Sequence, residues 1–316
     1  MSRCLAVAAL LCSIPACGGD DAPPQPPVAD VRRDVVSTGL AIDLAAQTGT
    51  ATIALAASPT VGGSLEVGDL DITAVTVDGA PIEFFRDGAQ LDLGIGTDAT
   101  TVTIDYGWRF HDNSDGIATA GYTLTWPYYC GNMFPCRSRP ADGTRFELAL
   151  SGVPAGDTAV FPATIGTDSA AYQLAWVVGP YQRTSLGTTT AGTEIVVWNH
   201  ANEMVNAIQG TRHLRAGFEW MEQNLGPYRF GTVAGSVSAH WGGGAYGGME
   251  HHPLWHVASD AMGDESVHMH EAAHGWFGDG VRLACWEDFV LSEGAASYYE
   301  ARLVEEVGDP GAGDAA

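Results

Sequence analysis

The sequence predicts an α+β fold: an N-terminal antiparallel β-sheet domain followed by a unit that mixes strands with helices. Three observations carry this. Val102-Thr103-Ile104-Asp105-Tyr106 alternates apolar and polar residues, and Phe146, Leu148 and Leu150 repeat the pattern, as half-buried strands do. From about Thr188 the period changes. Met204, Ile208, Phe218, Met221 and Leu225 then follow helical spacing, and Gly226-Pro227 ends the run. Beyond Asp264, two further helical stretches are set off by Gly275, Gly278 and Gly280.

Each element follows from local chemistry. Asp78-Gly79 between apolar runs predicts a hairpin turn. Thr193 to Trp198 and Tyr228 to Ala239 read as strands, and the apolar stripe between Asn202 and Leu225 reads as a core-facing helix. Asp264 is a natural N-cap, with Glu265 adding negative charge in the first turn. Leu291 to Val304 reads as the last helix, with Glu293 in its first turn.

The ends are of another kind. Arg3 and the apolar run Cys4 to Ile14, too short to span a bilayer, form a signal segment. Ile14-Pro15-Ala16-Cys17 resembles a bacterial lipobox, so residues 1–17 are expected to be a lipoprotein-type signal peptide, with Cys17 the lipidated first mature residue. Residues 18–30 are a Pro-rich linker, 31–187 the β domain, 188–307 the mixed unit and 308–316 a Gly- and Ala-rich tail. The implied location is the cell envelope, anchored by lipid to a membrane on the periplasmic or outer side. In that oxidising setting Cys130 and Cys136 could pair, while Cys285 reads as a buried free thiol. The formal net charge is −24 and every basic residue is arginine, which argues against nucleic acid as a partner.

The chemistry is concentrated in His270-Glu271-Ala272-Ala273-His274, followed after eighteen residues by Glu293. Histidines at i and i+4 share one face of a helix. Two imidazoles and a carboxylate suit one Zn²⁺ with a fourth position open. Glu271, beside the first ligand, can act as a general base. His251, His252, His256 and His268 crowd the same region; His251 and His268 read as outer hydrogen-bond donors or solvated residues. Glu287 and Asp288 could orient Glu293.

The string HEAAHGWFGDGVRLACWEDFVLSEGAASYYE resembles the zinc-site segment of the alanyl (membrane) aminopeptidase and leukotriene hydrolase family, gluzincins with an H-E-x-x-H, eighteen-residue, glutamate pattern. Gly247-Gly248-Met249-Glu250-His251 is similar to the family's G-x-M-E-N, with His251 in place of Asn. Phe134-Pro135-Cys136-Arg137-Ser138-Arg139-Pro140 is similar to its F-P-C-x-D-x-P segment, with Ser138 in place of Asp. The resemblance implies the front part of a thermolysin-like catalytic domain behind the β domain, and one zinc per chain on His270, His274 and Glu293, with Glu271 as base. It also implies that Glu250 holds the substrate's α-amine, that Gly247, Gly248 and Met249 register the peptide, and that Tyr246 lines the first side-chain pocket. The family's second amine-binding residue, a Glu or Gln, has its best local match near Trp126, which carries no carboxylate or amide, so no second amine-binding residue is placed. The family's oxyanion tyrosine falls past Ala316, so the resemblance is C-terminally incomplete.

The expected function is that of a zinc-dependent aminopeptidase acting on peptides with a free N-terminus. Two alternatives stay open: a catalytically weak zinc- and peptide-binding lipoprotein, and a zinc endopeptidase on the same scaffold.

Overall fold

The computed structural model describes residues 29–112, 115–125, 129–241 and 247–308. Cys17, Trp126, Tyr246, nearly all of the expected linker and the segment 309–316 lie outside the described residues.

The alternating residues build a seven-stranded sheet. It comprises β1 (Val35–Asp43), β2 (Thr48–Leu55), β3 (Asp71–Val77), β4 (Ala80–Pro81), β5 (Thr100–Gly107), β6 (Thr144–Ser151) and β7 (Thr164–Ser169), in the spatial order β7-β6-β1-β2-β5-β3-β4. On β5, Val102 and Ile104 are fully buried while Thr101 and Asp105 face solvent. Asp78 and Gly79 turn β3 into β4 with φ of 51° and 76°, the left-handed pair of a tight hairpin.

One pairing departs from the expected antiparallel pattern. Strands β1 and β6 run parallel, with Thr38 opposite Phe146. A parallel pair needs a long crossover, and the chain between β1 and β6 provides it. Within that crossover Cys130 and Cys136 form a disulfide, their Cα atoms 6.2 Å apart. Arg137 beside it is buried, donating to the Ser64 carbonyl at 2.9 Å and to Asp142 Oδ2 at 3.0 Å.

The second sheet has five strands: β8 (Gln182–Thr188), β9 (Glu194–Asn199), β10 (Val233–Ala239), β11 (Gly248–Met249) and β12 (Leu254–Ala258), ordered β8-β9-β10-β12-β11. It starts at Gln182, ahead of the change of character read near Thr188. Strand β10 is shorter than the predicted Tyr228–Ala239 and lies in the middle of the sheet. The edge is the two-residue strand β11, antiparallel to β12 with Gly248 opposite Val257. A third apolar core joins the units, with Tyr122, Val160 and Val177 meeting Val237 and Met249.

The predicted helix over 202–225 is two helices, α1 (Met204–Gly210) and α2 (Leu214–Leu225). The Thr211 amide and hydroxyl both bond the Ala207 carbonyl, at 3.0 and 2.6 Å, which closes α1 before α2 begins. The break also splits the apolar stripe. Phe218 and Met221 on α2 are fully buried, whereas Met204 and Ile208 on α1 are exposed. Phe218 anchors the second core, lying parallel to Trp255 and edge-on to Trp276 with ring centroids at 6.3 and 5.0 Å. Helices α3 (Glu265–Ala273) and α4 (Phe289–Val307) complete the unit. Among the described residues, no helix is long and apolar enough to cross a membrane.

Buried imidazoles give the fold an acid sensitivity. Burial pushes His252 and His256 down to about 3, from 6.5 when unfolded. The unfolded chain therefore binds more protons below pH 6.5, so the stability these groups confer is full above 6.5 and is lost as pH falls towards about 3. Each such histidine contributes a slope of about 1.4 kcal/mol per pH unit in that window. Denaturant midpoints measured from pH 7 to 5 should fall, and His256→Gln should flatten the decline by one histidine's share; an unchanged slope in that variant would contradict the assignment.

Candidate active site

Helix α3 places the chemistry. Asp264 caps it by accepting from the Ser266 amide at 3.0 Å, as its position predicts. His270 and Glu271 lie in the last turn and His274 is the C-cap. The chain then turns through Gly278 at φ 103°, a backbone shape suited to glycine. A Cβ there would also lie 2.1 Å from Ser292 Oγ. Helix α4 starts at Phe289, earlier than read from the sequence, so Glu293 sits in its second turn. Packing of α4 on α3 brings Glu293 Oε2 to 3.2 Å from His270 Nε2, and Oε1 to 3.6 Å from His274 Nε2.

The tautomers follow from the outer partners. His274 Nδ1 faces the Phe277 carbonyl at 3.0 Å. A carbonyl only accepts, so this nitrogen carries the proton and Nε2 presents a lone pair. His270 Nδ1 faces Glu300 Oε2 at 3.0 Å. The two Nε2 atoms point at each other across 3.2 Å, an arrangement that needs a cation between or beside them. Burial disfavours charge on His270, yet Glu293 and Glu300 outweigh it and push the imidazole up to about 10. The pocket thus demands positive charge. A tetrahedral ion with bonds of about 2.0–2.1 Å has edges of about 3.3 Å, close to the observed 3.2, 3.2 and 3.6 Å. The residues present fit zinc.

Glu271 lies between this cluster and strand β11. It is buried, its Oε2 has no hydrogen-bond partner among the described residues, and a Cβ on Gly248 would sit 2.4 Å from its Oε1. Burial, followed by the charges of Glu250, Glu293 and Glu300, raises its carboxyl well above the ordinary range against the pull of His270. His252 fixes the backbone beneath it, donating from Nε2 to the Glu271 carbonyl at 2.8 Å while Nδ1 accepts from the Tyr228 hydroxyl at 2.8 Å.

Glu250 follows β11 and is buried. Donor atoms of Glu250, Glu271 and His274 lie within 4.8 Å of one another. The Tyr172 hydroxyl is 2.7 Å from Glu250 Oε1 and 3.0 Å from Asp279 Oδ1. Burial, and then the charge of Glu250, raise the Asp279 carboxyl well above the carboxylate range. The Tyr172 hydroxyl donates towards these two carboxyls and so links Glu250 to Asp279. The His270 cluster, Glu271 and Glu250 border a cleft of about 420 Å³, lined also by Gly247, Gly248, Met249, Phe289 and Glu300.

The peptidase family M1 domain matches residues 250–314. Over those residues the chain is similar to peptidase family M1. Leucine aminopeptidase 2-2 of Scheffersomyces stipitis is 24% identical over 282 residues, 77% of this chain and 42% of that protein. Leukotriene A-4 hydrolase of Xenopus laevis is 29% identical over 136 residues, 42% of this chain and 21% of that protein. An M1 zinc metallopeptidase mutant of Deinococcus radiodurans, solved with a Tyr-Ser-Ala substrate, superposes with a TM-score of 0.73 at 22% identity, covering 88% of this chain and 72% of that one. The chain spans about two fifths of the length of the leucine aminopeptidase it matches.

The structure brings together His270, His274, Glu293, Glu271, Glu250, Gly247, Gly248 and Met249. It corrects three expectations. His251 and His268 are buried rather than solvated, and His268 Nε2 bonds the Met262 carbonyl at 3.0 Å. Asp288 accepts from the Cys285 thiol at 3.5 Å instead of bonding Glu293. Cys285 is half-buried. The edge bordering the cleft is β11, because β12 takes the place beside β10.

Sequence reasoning missed Glu300, Asp279 and Tyr172. Glu300 had a signal: it lies two helical turns past Glu293, on the same face of α4. Asp279 lay inside the matching string with no role attached. Tyr172 comes from the N-terminal domain, and nothing in its local sequence marks it.

Proposed function

We propose that this chain is a zinc-dependent aminopeptidase of the M1 type. The observation that carries the proposal is the short span from Glu250 to Glu271 and His274, within 4.8 Å. A peptide whose ammonium meets Glu250 has only its first carbonyl within reach of Glu271, so one residue is released at a time. His270, His274 and Glu293 would hold the zinc. Bound there, zinc polarises a carbonyl and makes water a stronger acid.

The chain's own groups do the rest. Glu271 takes a proton at Oε2 and returns it to the departing amine. Glu250, held by Tyr172, orients the substrate's N-terminus. The outer edge of β11 offers backbone groups along which an extended peptide can lie. The neighbouring enzyme solved with Tyr-Ser-Ala supports the choice of peptide substrates. The buried Glu250 favours the aminopeptidase reading over endopeptidase action.

The test compares free and N-acetylated peptides in the same assay, with metal content measured alongside. Cleavage of free peptides only, abolished by a chelator and restored by Zn²⁺, is the expected result. Equal cleavage of acetylated peptides would overturn the aminopeptidase reading. A second prediction concerns Gly248. In Gly248→Ala the new methyl occupies the space of the Glu271 carboxyl, and a displacement of about 1 Å costs about 10²-fold in rate. Turnover should fall by that factor with bound metal unchanged; full activity would place Glu271 elsewhere during reaction.

Envelope anchoring through Cys17 is also proposed, on the Ile14-Pro15-Ala16-Cys17 sequence. Labelled palmitate should enter the full chain and fail to enter Cys17→Ala; equal labelling of both would refute it.

A further inference from the structure

A second group of metal-ligating side chains stands at the opposite use of the same sheet. His200 directly follows β9 and His240 directly follows β10, two adjacent parallel strands, so both histidines emerge at the carboxyl ends of the strands. Glu203 closes the short 3₁₀ turn Ala201–Glu203 after His200 and is buried. Its Oε2 accepts from the His200 amide at 2.9 Å, which fixes the carboxylate. Its Oε1 lies 2.6 Å from His240 Nε2. The two imidazole rings are 4.3 Å apart between centroids. One donor atom from each of the three residues falls within 4.8 Å of the others.

The pair Glu203 and His240 could be a plain ion pair, but His200 does not fit that description. Its Nε2 is buried and has no hydrogen-bond partner among the described residues, which a structural histidine would normally have. Tyr181 packs its ring against the imidazole at 4.4 Å. A Cβ on Gly179 would come within 3.3 Å of the nitrogen, so glycine keeps the space beside it clear.

We propose that His200, Glu203 and His240 form a second divalent-metal site, distinct from the His270 cluster. Two imidazoles and one carboxylate select Zn²⁺ or another first-row ion over Ca²⁺ and Mg²⁺, which prefer oxygen donors alone. The ion ties the ends of β9 and β10 together at the root of the connection from β10 to the edge strand β11. Its role is therefore to hold the approach to the cleft, with no direct part in the chemistry at Glu271.

The test is Co²⁺ binding by the full chain, measured by equilibrium dialysis and visible absorption. The wild-type protein should take up two ions, and a His270→Ala/His274→Ala variant should take up one. Adding His200→Ala or His240→Ala to that variant should abolish the remaining ion, while the melting curve in chelator stays that of its parent. A His270→Ala/His274→Ala variant that binds no ion, or an ion in that variant that survives both further substitutions, overturns the proposal. Spectra of the wild-type chain decide the matter independently of any variant's folding: the second equivalent should add nitrogen–oxygen ligand-field bands, and a second equivalent without new bands also overturns it. Loss of the first ion alone would count against the proposed active site and leave this one standing.

Discussion

Glu271→Gln should lower kcat on an aminoacyl anilide by about 10³-fold while leaving zinc content at the His270 cluster unchanged. General-base catalysis contributes about 10²–10⁴, and the upper half of that range is expected because no other carboxylate takes the position of Glu271 on α3. Glu250 is engaged by Tyr172, and Glu293 and Glu300 face His270. The amide matches the carboxyl in size, so the contact with Gly248 and the packing are preserved. What is lost is the ability to take a proton at Oε2. Steady-state kinetics with metal analysis on the same sample checks this. Activity within tenfold of wild type would remove Glu271 from the base role, and loss of metal would make it a support of the ligand set instead.

Glu250→Ala should lower kcat/KM for free peptides by about 10²–10³-fold, since deleting one member of a buried charge pair costs about 2–5 kcal/mol. The side chain is almost completely buried, so water cannot easily replace it as a partner for the ammonium. Tyr172→Phe should be milder, about tenfold, because it removes one hydrogen bond to the carboxylate and leaves the charge. Loss carried mainly by KM would mark Glu250 as an anchor; loss carried by kcat would mean that it also orients the carbonyl. Residual cleavage of N-acetylated peptides should be indifferent to the substitution. A Glu250→Ala enzyme that handles free peptides normally would leave the amine without its proposed partner.

The two substitutions probe residues whose visibility in the sequence differed. Glu271 was legible because its chemistry is local: His270, Glu271 and His274 belong to one helix, and helical periodicity places both imidazoles on one side. Glu250 was legible through its glycine-rich motif, yet its environment was not. Tyr172 and Asp279 reach it from distant parts of the chain, and no periodicity relates them. The outcome for the buried histidines has the same cause. His251 and His268 occupy polar-looking stretches, and their burial depends on which strands and helices later cover them.

The strands were legible where one face meets the core, as at Val102, Ile104 and Tyr106. Their neighbours were not. The parallel pairing of β1 with β6, and the insertion of β12 between β10 and β11, depend on long crossovers that leave no local mark. The apolar stripe from Met204 to Leu225 misled for a related reason: helical spacing does not reveal that Thr211 closes one helix and His213 starts another, after which Met204 and Ile208 face solvent.

By itself the sequence pointed to the His270, His274 and Glu293 donor set, the carboxylate beside it, and the two classes of secondary structure, because each rests on spacings of a few residues. Tertiary structure alone decided that β11 is the sheet edge at the cleft and that Glu300 and Phe277 fix the imidazole tautomers. It also decided that Asp279 and Tyr172 govern Glu250, and that His200 meets His240. Those outcomes come from packing separate segments against one another, where the favourable burial of apolar faces chooses the arrangement and the polar side chains are carried to their partners with it.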